Sequence, residues 1–208
     1  MKLLKISLLL TITLLFNSCA SNYQTINPQE LNYFSNHGKD GILLEYQYDL
    51  LEKKYKKKEN KKGLKLVAIK IKNYSEKDIV FGKDFKLTYE NGDELIILEN
   101  VRVFKSLKQN TPIYLLYLLL TGMRITNTHI SQNSVETNSI PIGLIVGPGL
   151  AGSNMVKSSS ANRKFKTELR EFDILSSTIK KGETIYGLIG VKTNRYDSIK
   201  IKIEKNNV

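Results

Sequence analysis

The stretch VAIKIKNYSEKDIVFGKDFKLTYENGDELIIL (residues 67–98) decides the fold class. Val67, Ile69 and Ile71 alternate with Ala68, Lys70 and Lys72, and Phe85, Leu87 and Tyr89 alternate with Lys86, Thr88 and Glu90. Alternation with period two places apolar side chains on one face of a half-buried strand. Asn73 to Asp78 form a polar turn between them, before Ile79-Val80-Phe81. Asn91-Gly92 supplies the positive φ angles that a tight hairpin requires, with Leu95 to Leu98 expected to return as the partner strand. Outward from this stretch, Ile42, Leu44, Tyr46, Tyr48 and Leu50 share a face, and Ile199, Ile201 and Ile203 alternate with charged residues. Phe172 and Ile174 precede a Lys180-Lys181-Gly182-Glu183 turn that leads into Thr184 to Val191. Seven to nine short strands punctuated by turns predict a mainly β protein, an antiparallel sandwich over residues 41–208.

The segments Leu66 to Gly92 and Phe172 to Ile203 resemble the immunoglobulin-like domains of unknown function carried by many bacterial lipoproteins. The shared features are a strand ending in Asn73, Phe85-Lys86-Leu87, Asn91-Gly92-Asp93, and Lys181-Gly182-Glu183 before a strand containing Gly187. The resemblance implies an immunoglobulin-like sandwich and supplies no catalytic residues.

A long apolar, Gly-rich insertion at about residues 105–166 interrupts that pattern. It holds the apolar runs Ile113 to Leu120 and Ile140 to Ala151, separated by a polar stretch containing Asn127, His129, Gln132 and Asn138. Neither run reaches the roughly 20 residues of a membrane-spanning helix. Two such runs need a cover, which makes Ile113, Tyr114, Leu116, Tyr117, Leu119, Ile142, Leu144 and Ile145 the expected contacts with a membrane or partner. Gly143 and Gly147 stand in a G-x-x-x-G spacing that lets backbones approach in a helix kept short by Pro148; the alternative is a glycine-rich loop over the sandwich edge. Gly147, Gly149 and Gly152 also match the G-x-G-x-x-G spacing of dinucleotide loops after a strand-like run. Ser153-Asn154 stands where a phosphate loop needs its lysine and hydroxyl, so no nucleotide cofactor is expected.

Residues 53–62 contain seven lysines and read as a solvated, mobile hairpin loop. In a functional reading Lys54, Lys56, Lys57 and Lys58 contact anions, with salt weakening the attachment. His37 and His129 are the only histidines and neither has an acidic neighbour in sequence, so no metal site and no enzyme are expected. A second reading is an apolar-ligand carrier or sensor with Tyr114, Tyr117 and Met123 as walls; an envelope enzyme ranks third.

At the N-terminus Lys2 and Lys5 precede an eleven-residue apolar stretch, Ile6 to Phe16, the layout of a signal peptide ending at residue 18. Leu14-Leu15-Phe16-Asn17-Ser18-Cys19 then resembles the lipobox of bacterial lipoproteins, with Phe16 and Asn17 in place of the commoner leucine and small residue, as in lipoproteins of the Bacteroidetes type. The resemblance implies acylation of Cys19 and anchoring in the cell envelope at the outer membrane. Residues 20–40 are polar, rich in Asn, Gln and Ser, and show no sustained apolar period, so residues 19–40 read as a lipid-anchored tether. The other reading of Cys19, the sole cysteine, is an incidental residue near a general signal-peptidase site. A net charge of +12, or +10 without Lys2 and Lys5, suits anionic lipid or an acidic envelope partner. An exported chain has little access to nucleic acid. The expected function is a membrane-anchored, non-catalytic binding or assembly role.

Overall fold

A computed structural model describes residues 19–131 and 134–204. The expected signal peptide, and Gln132, lie outside the described residues. In chain order the elements are β1 (Ser35–Lys39), β2 (Ile42–Gln47), α1 (Lys53–Lys62), β3 (Lys65–Asn73), β4 (Ile79–Val80), β5 (Phe85–Tyr89), β6 (Ile97–Leu98) and α2 (Asn100–Leu107). A 3-10 helix (Thr111–Gly122), β7 (Ile125–Ser131), β8 (Ser134–Ile140), α3 (Gly143–Glu171), β9 (Thr178–Ile179), β10 (Thr184–Val191) and β11 (Ile199–Ile203) follow. The strand pairings are antiparallel, and helical residues are about as numerous as strand residues. The described residues divide into a sheet unit, 23–108 with 162–204, and an insertion unit, 19–22 with 109–161. The inner stretch of the insertion unit, 109–161, compares with the 105–166 expected from sequence.

In the sheet unit a five-stranded sheet runs β1-β2-β3-β10-β6, beside the pairs β11-β5 and β4-β9. One apolar core joins them: Leu44 and Ile69 from the large sheet, Phe85 and Ile201 from β5 and β11, and Ile79 and Ile179 from β4 and β9. Each such side chain contributes roughly 1.5–3 kcal/mol on burial. A turn forms at Asn91-Gly92, with Tyr89 N–H bonded to Asp93 O at 2.8 Å, but the left-handed conformation expected of both residues is taken by Gly92 alone, at φ +91°. Leu95 to Leu98 return to β5 only as far as Leu95, whose N–H meets Leu87 O; Ile97 and Leu98 pair with Val191 and Gly190 of β10 instead.

The tether expected over residues 19–40 is corrected in its second half. Ser35–Lys39 form β1, in register with β2 from Ser35 opposite Tyr46 to Lys39 opposite Ile42. His37 Nδ1 accepts the Ile201 N–H at 3.1 Å, so β1 is held by ring and backbone bonds where apolar alternation is missing. Tyr23 and Ile26 are also buried, Tyr23 against the rings of Tyr55 and Phe165 at 5.0 and 5.1 Å.

The loop expected at residues 53–62 is corrected outright, because the segment is α1. Tyr55 and Glu59, four residues apart, fall on one face and are both buried. Gly63 ends the helix at φ +59°, with Lys61 and Lys62 in the favourable last turn. Lys56 pairs with Asp49 at 2.7 Å, Lys58 donates to the Lys108 carbonyl and Lys54 is engaged as well, so at least three of the four expected anion contacts already have partners.

Glu168 in α3 is a buried acid in the same unit. Its Oε1 accepts both the Ile26 N–H at 2.5 Å and the Tyr23 hydroxyl at 3.1 Å, while Oε2 is buried without a partner among the described residues. Burial outweighs these two donors and pushes its carboxyl up from 4.5 to about 7. A raised acid favours the folded state most below pH 4.5, and that contribution is lost as pH rises through about 7. Glu168→Gln keeps the acceptor for Ile26 and removes the titration. We expect the stabilities of wild type and variant in urea unfolding to agree near pH 4.5 and the variant to be more stable by roughly 2 kcal/mol at pH 8, after allowance for solvent screening. A pH-independent difference would contradict this.

Candidate membrane-docking site

The insertion unit begins from an unusual helix. Thr111–Gly122 is apolar nearly throughout and adopts 3-10 geometry, three residues per turn, so residues three apart lie in line. Tyr114, Tyr117 and Leu120 form the inward line, at 1% and 6% exposure for the tyrosines, with their rings stacked at 6.4 Å. Ile113, Leu116 and Leu119 form a second line and Leu115 and Leu118 a third, and all five are exposed.

Helix α3 packs its first turns on this element through glycine. A Cβ on Gly143 would sit 2.1 Å from Leu120 O and one on Gly147 2.9 Å from Thr121 Cγ2. Gly143 N–H also donates to Met123 O at 3.0 Å. The two backbones therefore touch where only hydrogen fits, and Leu144, Ile145 and Val146 are left facing outward. Gly147, Gly149 and Gly152 lie inside α3, where their amides belong to the helix, so the dinucleotide-loop spacing has no loop. Contrary to the short helix expected from Pro148, α3 runs for 29 residues; the proline removes one bond within the first two turns.

Further along α3, Ala151, Asn154, Ser158 and Ala161 make a buried stripe at helical spacing. Asn154 Oδ1 accepts the backbone N–H of Ala20 at 2.6 Å. Gln109 holds Ser21 from both sides, its Oε1 accepting the Ser21 N–H at 3.0 Å and its Nε2 donating to the Ser21 carbonyl at 2.6 Å. Ala20 joins Tyr114, Tyr117 and Ala151 in a small core. Cys19 is exposed at the edge of that core, and its thiol, after burial, helps push the Tyr114 hydroxyl up.

Of the expected contacts, Ile113, Leu116, Leu119, Leu144 and Ile145 are exposed, and Ile142 is half-buried. Tyr114 and Tyr117 are corrected to packing positions, because they fill the core; Gly143 and Gly147 serve the close backbone approach that their spacing led us to expect and offer no side chain to a membrane or partner. Leu115 and Leu118 in the first apolar run and Val146 in the second are additional exposed residues, which runs without visible period do not single out. Between the runs, the polar stretch forms a hairpin, with Ile125 opposite Ile140 and His129 opposite Glu136. Its described side chains are exposed.

Two features set the surface chemistry. The residues Gln109–Ala161 include three charges, Arg124, Glu136 and Lys157, in a chain that is 25% charged. Exposed apolar side chains on two elements packed backbone to backbone then form a patch of a kind that soluble surfaces seldom carry at large size. Among the described residues no helix is long and apolar enough to cross a membrane, and no cluster of three or more His, Cys, Asp or Glu side chains forms a metal site. Compared with models of protein families, with curated proteins and with solved structures, the chain matches none.

Proposed function

We propose that this chain is a cell-envelope lipoprotein, acylated at Cys19 and held at the outer membrane, with a non-catalytic binding or assembly role. Its insertion unit seats the side chains of Ile113, Leu116, Leu119, Leu144 and Ile145 in the bilayer surface. The observation that carries this reading is the clamp on Ala20: the residue after the acylation site is locked into the core whose outer shell is the exposed apolar face. Acyl chains leaving Cys19 would thus start beside that face. Stable anchoring takes more than one acyl chain or a second membrane-binding element, and the apolar face supplies such an element. Sparse charge in the unit lowers the cost of that contact. The sheet unit is read as an immunoglobulin-like sandwich, supported by the single core its sheets share.

The test separates the anchor from the face. Labelled palmitate is expected to enter the wild-type protein in cells and not Cys19→Ala. The mature chain carrying Cys19→Ser is expected to float with phosphatidylglycerol vesicles, and Leu116→Ser, Leu119→Ser and Ile145→Ser together to weaken that binding about a hundredfold. That factor corresponds to about 2.7 kcal/mol, or three side chains each partly removed from water. Photo-crosslinks from Leu116 and Ile145 that reach one protein and no lipid would replace the bilayer by an envelope partner.

A further inference from the structure

Helix α2 and the last turns of α3 enclose a cleft of about 560 Å3 that lies wholly within the sheet unit. Val101, Phe104, Leu169 and Leu175 make its apolar walls. Asn100 braces the floor, its Nδ2 donating to the Leu169 carbonyl at 2.7 Å. Around the rim stand Lys105, Lys108, Lys166 and Arg170. The ion pairs among the described residues engage none of these four cations. Lys108 Nζ and Lys166 Nζ each lie 5.8 Å from the centre of the Phe104 ring, near the outer limit of a cation–π contact. Two acids, Glu99 and Asp173, line the same cleft, and Asp173 Oδ1 is occupied by the Leu175 N–H at 3.2 Å.

We propose that this cleft binds an amphiphile with one acyl chain and an anionic head, a long-chain fatty acid or its lysophospholipid counterpart. The size falls in the range of small-molecule sites, and the lining divides as such a ligand divides, apolar within and cationic at the mouth. A carboxylate or phosphate between Lys108 and Lys166 would exchange two weak ring contacts for charge-assisted hydrogen bonds. A free inorganic anion would leave the Phe104 and Leu175 walls unused. The proposal stands apart from the bilayer reading of the insertion unit, since it uses none of its residues.

The test uses the full mature chain carrying Cys19→Ser and a fatty acid bearing an anthroyloxy fluorophore. Trp is absent from the sequence, so probe emission is read without protein background from indole. Saturable binding is expected, displaced at least tenfold more effectively by palmitate than by hexadecanol. Phe104→Ala is expected to weaken both competitors about tenfold. Lys108→Glu with Lys166→Glu, two exposed positions, is expected to abolish the preference for palmitate and leave hexadecanol unchanged. Displacement by palmitate alone assigns a fatty acid, and equal displacement by lysophosphatidylglycerol assigns a lysolipid; both uphold the site. Absence of saturation, equal displacement by palmitate and hexadecanol in wild type, or charge reversal without effect would overturn it. So would displacement by an acidic peptide at palmitate's strength, which would make the cleft a protein-docking surface.

Discussion

Gly143→Ala is expected to unfold the insertion unit while the sheet unit keeps its protection. The added Cβ would fall 2.1 Å from Leu120 O, 2.6 Å from Thr121 O and 2.7 Å from Met123 N, all of them backbone atoms. A side-chain neighbour would swing away; here either the 3-10 helix or α3 has to move. Overpacking costs about 1–3 kcal/mol, and a clash with three backbone atoms belongs at the upper end, about 3 kcal/mol. Gly149 in the same helix is the control, because nothing lies within 4 Å of its Cβ position. Gly149→Ala is expected to stabilise the unit by about 0.5–1 kcal/mol through helix propensity. Amide hydrogen exchange read by peptide distinguishes the two, with residues 111–122 and 143–161 losing protection in the first variant and β3 and β10 retaining it. Equal effects of the two substitutions would mean that the close approach is not what these glycines serve.

That contrast also shows where the sequence is legible and where it is silent. β2, β3, β5, β10 and β11 announce themselves because one face of each is apolar and buried. β1 has the sequence Ser-Asn-His-Gly-Lys and no apolar face; it exists through its register with β2 and the His37 bond to β11. The hairpin β7–β8 is equally hidden, since exposure on both faces leaves no alternation to read. α1 is masked by its lysines, and only the Tyr55 and Glu59 spacing hints at a helix.

For the candidate site, residue identity carries part of the information. The apolar runs, the paired glycines and Cys19 are visible as types and spacings, whereas the inward turn of Tyr114 and Tyr117 depends on a three-residue period in a run apolar at nearly every position. The clamp on Ala20 was beyond any local pattern, because Asn154 lies 134 residues away and Gln109 lies 88 from Ser21. An asparagine on a helix or a glutamine in a short connection reads as solvent-facing until its partners are known. Here they satisfy backbone groups that burial would otherwise leave unbonded.

The same accounting makes Lys65→Met the most destabilising substitution expected in the sheet unit. Lys65 and Glu59 are both buried, 3.7 Å apart, and each has further bonds. Lys65 Nζ donates to Asn60 Oδ1 at 2.7 Å and to the Tyr196 hydroxyl at 2.9 Å, and Glu59 Oε1 accepts the Leu66 N–H at 2.8 Å. Burial pushes the Glu59 carboxyl up in spite of the Leu66 N–H and the lysine, so its charge depends on both. Removing the lysine leaves a buried anion with one donor, at a cost of about 3–5 kcal/mol near neutral pH. The penalty should shrink as pH falls, because protonation of Glu59 removes the unpaired charge. Glu59→Gln added to Lys65→Met keeps the acceptor for Leu66 and removes the anion. That double variant is expected to recover to within about 1–2 kcal/mol of wild type in urea unfolding, since an apolar replacement of a buried pair is often neutral. A double variant no more stable than Lys65→Met alone would show that the loss comes from the Asn60 and Tyr196 bonds and not from the orphaned charge.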